Sequence, residues 1–393
     1  MSLSAAVPNQ RLTALTLLWL GGLCLRLTLL AVPPVIPLIH AELGLSETEI
    51  GTLGTLPSLL LALAAIPGSL LIARFGATSA LVTGLLLVGL GSAARGAAAG
   101  VGTLYLTTIV MSAGVAVMQP AMPPLARSWT PDRVPLATAV YTNGLLMAET
   151  IAVAFTLPVV LPLMGGSWRL SFVFWGAPVI AIAILVMAFA PRQPPAHQAA
   201  APLRWWPDWS DPQMWRLAFC LGCVNACYFA INTFLPDYLT ASGHAELISL
   251  ALTALNLCQL PASFLMLALA PRLVRRYWAY VAVGLVNLAA IVGMAAMPGW
   301  WVVFWAGVIG FSDAAGLILI LALPPLLSAP QDVHRVSAAM FTISYPCAVL
   351  MSVAGGYLWD ATFVPWLAFA PVAFCALALA LLPLNIPFTT RPE

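Results

Sequence analysis

The stretches RVPLATAVYTNG (133–144) and RVSAAMFTISYP (335–346) both open on Arg-Val and run through small residues into an apolar segment. Their arginines are 202 positions apart (335−133), and the same offset relates Arg74 to Arg276 (276−74) and Pro34 to Pro236 (236−34). A constant offset across three separate landmarks is the signature of an internal repeat. It predicts two similar halves of about the same length, and the question becomes what each half is made of.

The chain has 393 residues, is 62% hydrophobic and only 7% charged, and has a mean hydropathy of +0.99. Soluble domains carry about 25% charged residues, so the composition is that of an integral membrane protein. All fifteen basic residues are arginine, and the net charge is +2 with no basic run, which gives no reason to expect a nucleic-acid partner. A membrane span needs about 20 apolar residues. Breaks at Gly, Pro and charged clusters predict twelve such segments, at 12–39, 50–73, 78–98, 101–125, 135–163, 168–190, 214–239, 246–270, 277–297, 299–327, 336–358 and 362–386. The break between the ninth and tenth is only MPGW (297–300). The first apolar stretch exceeds a signal-peptide core and no small-residue cleavage site follows it, so it reads as a retained span.

The loops set an expected orientation. Arg11, Arg74, Arg127, Arg133, Arg192, Arg204, Arg216, Arg272, Arg275, Arg276, Arg335 and Arg391 fall on one side, and Glu42, Glu47, Glu49, Asp237, Glu246 and Asp360 on the other, where Arg169 is the lone basic loop residue. The positive-inside rule then places both termini in the cytoplasm. The long loop at 191–213 is Pro-rich (PRQPPAHQAAAP, 191–202) and reads as a linker between domains at 1–190 and 214–393. The fold class expected is all-α, with twelve transmembrane helices in two pseudo-symmetric six-helix bundles. Repeated halves of this kind form substrate sites near the bilayer midplane, which makes secondary transport the leading function.

With these features in place, the chain resembles the major facilitator superfamily over essentially its whole length. ARFG (73–76) stands where that family has a short cytoplasmic loop motif, with Ala73 at the place of its usual Asp. Thr108 stands where many members have a basic residue, and the antiport motif of many drug exporters is absent from TNGLLMAETIAVAF (142–155). A narrower resemblance is to the cyanate-permease and 2-nitroimidazole-transporter branch. It is carried by Leu25-Arg26 followed by spaced prolines, LGLS (43–46), GSAARG (91–96), PAMPPLARSWTPDR (120–133), ATAVYTNG (137–144), GSWRLSFVFW (166–175) and YFAINTFLPDYL (228–239). Cys24 and Leu27 depart from that branch, where Asn and Pro are expected. The resemblance implies a small-molecule substrate, protons as coupling ion, a monomer in a bacterial inner membrane, and a central cavity lined by helices 1, 4, 7 and 10 with 2, 5, 8 and 11 beside them.

Ionisable groups well inside the spans are few: Arg26, Glu149 and Asp313, with Arg95 near a span end and expected to reach the interface. An intramembrane charge costs at least ~2.5–3.5 kcal/mol on insertion scales, so function is the default expectation. Arg26 keeps its charge and offers a planar fork suited to anions; its repeat partner is Tyr228 (228−26 = 202). The alternative for Arg26 is a structural ion pair with Glu149. Glu149 is the expected proton carrier, and Asp313 stands between a substrate or proton role and a helix contact built on the small residues of GFSDAAGL (310–317). Two polar stripes, Asn225, Tyr228 and Asn232 on helix 7 and Thr253, Asn256, Gln259 and Ser263 on helix 8, fit either helix-to-helix hydrogen bonding or substrate contacts; Gln119 and Tyr345 are further substrate-binding candidates.

Pro33, Pro34, Pro37 and Pro236 either bend or end their helices. WWPDW (205–209) is placed at the cytoplasmic interface. The seven cysteines all lie in apolar segments, and Cys220, Cys223 and Cys227 share a helix face without His or acidic neighbours, so neither a disulfide framework nor a metal site is expected, and no cofactor. Two transport readings stand: a proton-coupled permease for a small organic anion or azole-like compound, and a polyspecific exporter of cationic or neutral drugs. An enzyme is disfavoured because no HExxH, GxSxG or paired-carboxylate motif is present.

Overall fold

Hydropathy and helix length determine the architecture together. The computed structural model describes residues 8–45, 47–191 and 204–386, and within them twelve helical spans are long and apolar enough to cross a membrane. They are α1 (Gln10–Leu43), α2 (Leu56–Phe75), α3 (Ala77–Gly96), α4 (Val101–Trp129), α5 (Pro131–Leu163), α6 (Trp168–Phe189), α7 (Pro212–Ala241), α8 (Ala245–Leu273), α9 (Tyr277–Ala296), α10 (Trp300–Leu327), α11 (Val333–Thr362) and α12 (Pro365–Leu384). No strand occurs among the described residues. In a bilayer each backbone polar group must be satisfied within the chain, and helices achieve this segment by segment.

The short MPGW break is sufficient because Gly299 takes φ +75°, which turns the chain between α9 and α10. The last expected boundary shifts: α11 runs through Thr362, where the twelfth span was expected to start, and Phe363 at φ +58° makes the turn. The prolines act differently from one another. α1 is helical to Cys24, resumes over Leu27–Leu30, tightens into a 3-10 turn at Pro33–Val35 and finishes as Ile36–Leu43. Pro236 interrupts nothing, and its helix continues to Ala241. α8 is interrupted at Cys258, between Asn256 and Gln259 of its polar stripe.

The chain forms two compact units, Met1–Pro207 with Ser328–Ala338, and Asp208–Leu327 with Ala339–Glu393. Residues 328–338 associate with the first unit because Arg127 donates to the Ser328 carbonyl, Arg204 pairs with Asp332 at 3.7 Å, and Arg335 reaches the Trp206 carbonyl. Residues 192–203, most of the expected linker, and Arg192 and Arg391 lie outside the described residues.

Within the first unit α3 packs on α4 and α6, α2 on α4, and α1 on α5. The second unit repeats the scheme, with α9 on α10 and α12 and α8 on α10. Lipid gives helices no hydrophobic reason to associate, so close backbone approach at small residues does the work. At Gly310 of α10 a Cβ would lie 1.8 Å from the Leu255 carbonyl oxygen of α8.

Candidate functional site

The α1–α5 seam brings the two most informative charges together. Trp19 Nε1 donates to Asn143 Oδ1 at 3.0 Å, Gly144 faces the Trp19 carbonyl, and Gly22 faces the Tyr141 carbonyl. One turn further along, Arg26 Nε stands 3.3 Å from Glu149 Oε1. Arg26 has left helical geometry, at φ −124° and ψ −24°, and the N–H groups of Leu25 and Arg26 bond to the carbonyls of Gly22 and Leu23 instead of reaching one residue further back. The guanidinium is therefore carried at a break in α1. The Arg26 and Glu149 side chains keep 17% and 16% exposure. A charged pair facing hydrocarbon is costly, so the exposed part belongs against water or a polar ligand.

In the second unit the polar stripes of α7 and α8 interlock. Tyr228 Oη donates to Asn256 Oδ1 at 2.7 Å, Asn256 Nδ2 donates to Asn232 Oδ1 at 3.2 Å, and Gln259 Nε2 donates to Asn256 Oδ1 at 3.4 Å. Asn232 also donates to the Tyr228 carbonyl at 2.9 Å, a bond within its own helix. Four of the expected substrate residues thus form one neutral network. Asn225 does not join it: its Nδ2 donates to Ser344 Oγ of α11 at 3.2 Å. Thr253 is exposed and its hydroxyl donates to the Ser249 carbonyl, and Ser263 is buried with its hydroxyl on the Leu260 carbonyl. Tyr345 is buried between the rings of Phe341 and Phe229, each with its centroid 6.5 Å away, and Gln119 is buried in α4.

Asp313 is 3% exposed and its Oδ1 accepts from Asn287 Nδ2 of α9 at 2.7 Å. That bond joins α10 to α9. Asn287 had escaped sequence reasoning, although a lone Asn in the apolar run GLVNLAA (284–290) was the available signal. Asn143 was likewise missed, despite standing inside the repeated stretch. The expectation for Arg95 is overturned: it is 0% exposed and does not reach an interface. Its place in the last turn of α3 suggested the end of the span, but α6 and the broken part of α1 cover it there.

The tryptophan cluster is anchored by backbone contacts, with Ser69 Oγ donating to the Trp205 carbonyl at 2.8 Å and Trp215 Nε1 to the Trp209 carbonyl at 2.9 Å. All seven cysteines are free thiols. Among the described residues no group of three or more His, Cys, Asp or Glu is arranged to hold a metal ion.

The candidate residues thus offer an ion pair in the first unit and a network of neutral hydrogen bonds in the second. The chain is similar to known transporters along nearly its full length. It is 26% identical over 382 residues to the cyanate transport protein CynX of Escherichia coli (strain K12), covering 92% of this chain and 98% of that one. It is 25% identical over 333 residues to the 2-nitroimidazole transporter of the same organism, covering 84% and 83%. Its backbone superposes on the E. coli fucose:proton symporter FucP with a TM-score of 0.76 at 15% identity, covering 97% of this chain and 99% of that one. The repeated six-helix halves, the twelve spans and a match of residues 18–345 to the model of the Major Facilitator Superfamily agree, and the chain belongs to that superfamily of membrane transporters.

Proposed function

We propose that this transporter moves a small organic anion or azole-like molecule by alternating access, coupled to protons, with the Arg26–Glu149 pair as the coupling element. The observation that carries the reading is the partial exposure of this pair, at 17% and 16%, while Arg95 and Asp313 are sealed in protein. A planar anion matches the donor fork of Arg26 better than a cation could match any group beside it. When such an anion takes the guanidinium, Glu149 loses its counter-charge in a poorly solvated place, and taking up a proton removes the cost of the stranded carboxylate. Substrate and proton then bind together, and the pair re-forms when both leave. The network of Tyr228, Asn232, Asn256 and Gln259 is proposed to hydrogen-bond the polar edge of the substrate during translocation. The similarity to cyanate and 2-nitroimidazole transporters supports this substrate class. The arginine distribution supports cytoplasmic termini, the bacterial relatives support an inner-membrane location, and a monomer is the proposed working unit.

The test is uptake into proteoliposomes with an imposed proton gradient, with cyanate, small carboxylates, 2-nitroimidazole and cationic dyes as probes. Gradient-driven uptake of an anion or azole that Arg26→Ala abolishes supports the reading. Movement of cationic dyes alone, equal in wild type and Arg26→Ala, would overturn it in favour of a drug exporter.

A further inference from the structure

Arg95 is the largest fully buried side chain among the described residues, and the transport scheme makes no use of it. A sealed guanidinium persists only where hydrogen bonds and a π face replace its hydration. Its Nη2 donates to the Thr28 carbonyl at 2.9 Å and to Ser92 Oγ at 3.1 Å, and its central carbon stands 4.4 Å from the centroid of the Phe172 ring of α6. Ser92 Oγ in turn donates to the Phe172 carbonyl at 3.0 Å. Arg95 therefore ties α3 and α6 to one backbone atom of α1.

That atom is available because α1 is broken. In a continuous helix the Thr28 carbonyl would accept from the N–H of Val32, but Val32 donates to the Leu29 carbonyl at 3.4 Å, and Pro33 and Pro34 beyond it have no N–H to offer. At its other end the turn Leu27–Leu30 begins at Arg26, whose dihedrals are non-helical. The turn thus lies between two interruptions, and Arg95 reaches it with a side-chain hydrogen bond from α3.

We infer that Arg95 is a positioning residue: through the Thr28 carbonyl it fixes the Leu27–Leu30 turn and so sets where Arg26, two residues earlier, meets Glu149. The inference rests on the proposed transport reading for what Arg26 does, while the anchoring of the turn is independent of it. Lysine at 95 keeps a donor for Thr28 but has no flat face for Phe172 and no second direction for Ser92.

The native Cys24, fully buried two residues before Arg26, reports the state of the break, and Cys220, fully buried in the second unit, reports global unfolding. Membranes are treated with a membrane-permeant maleimide, and labelling at each thiol is measured by peptide mass spectrometry. Arg95→Met is expected to raise labelling of Cys24 about tenfold with Cys220 still protected, because a locally freed turn opens without the rest of the fold. Phe172→Leu and Arg95→Lys are expected to raise it less. Wild-type labelling of Cys24 in all three variants overturns the inference. If Arg95→Met exposes both thiols, the two milder variants decide by the same criterion.

A second measurement separates positioning from mere stability. For whichever of cyanate and 2-nitroimidazole the wild type takes up, Arg95→Lys is expected to raise KM by about threefold or more at near-unchanged maximal rate, the mark of weakened binding at a displaced Arg26. A lower maximal rate at unchanged KM overturns the inference. If the wild type takes up neither probe, the transport reading has failed, and Cys24 labelling still decides the role of Arg95.

Discussion

Gly22 of α1 lies so near the Tyr141 carbonyl of α5 that a Cβ there would stand 1.9 Å from the oxygen. The contact is reciprocated at Gly144, where a Cβ would stand 2.3 Å from the Trp19 carbonyl oxygen. Two backbones held this closely fix the register in which Arg26 meets Glu149. Gly22→Ala must force the helices apart, because backbone atoms cannot rotate away as a side chain does. Overpacking of this kind costs about 1–3 kcal/mol. The expected outcome is a lower melting temperature in detergent for Gly22→Ala, while Gly102→Ala, with open space at its Cβ, melts like wild type. Equal melting of the two variants would show that the seam is looser than the structure has it.

The Arg26–Glu149 pair predicts a coupling energy. Removing either partner strands the other, and removing both relieves the stranded charge, so Arg26→Gln with Glu149→Gln is expected to be less damaging to stability than the sum of the single variants. The interaction term expected from a double-mutant cycle is about 0.5–3 kcal/mol. Additive effects would mean that the 3.3 Å approach carries no energy. In transport, Glu149→Gln is expected to retain substrate exchange across the membrane while losing acceleration by a proton gradient, since the amide cannot carry a proton.

Much of the fold was legible because it depends on composition and period. Twelve apolar segments, the 202-residue offset and the MPGW turn need no knowledge of which helix touches which. The proximity of Arg26 to Glu149 was legible as one of two alternatives, since few charges were available to pair. Side-chain partners that depend on rotation about a helix axis were not. Thr253 turns its hydroxyl back to the Ser249 carbonyl and stays outside the α8 network, and the cover over Arg95 comes from α6 and from a part of α1 whose irregularity hydropathy does not register.

The neutral network of the second unit predicts a binding effect that exceeds its small stability effect. Tyr228→Phe deletes one hydroxyl that donates to Asn256 and leaves the ring in place. A hydrogen bond between partly buried neutral groups contributes about 0.5–1.5 kcal/mol. KM for the transported probe is expected to rise severalfold, with the melting temperature lowered by no more than the loss of that one bond accounts for. An unchanged KM with a lowered melting temperature would instead assign the network to holding α7 against α8.

Asp313 supplies the sharpest distinction between a coupling residue and a structural one. Its Oδ1 is taken by Asn287, and both Asp313 Oδ2 and Asn287 Oδ1 are buried without a hydrogen-bond partner. A charged carboxylate placed this way is poorly compensated, whereas a neutral group of the same shape can complete the pairing by donating to Asn287 Oδ1. Asp313→Asn is such a group, with the amide in place of the second oxygen. It is expected to keep the wild-type melting temperature and full gradient-driven uptake. Asp313→Leu leaves the Asn287 side chain unsatisfied in the interior, at a cost of about 1–3 kcal/mol, and is expected to melt earlier. Loss of proton coupling in a well-folded Asp313→Asn protein would make Asp313 a proton carrier, and the helix-contact reading would then fail. The same pair of variants also separates its role from that of Glu149, where the neutral amide is expected to abolish coupling while leaving exchange intact.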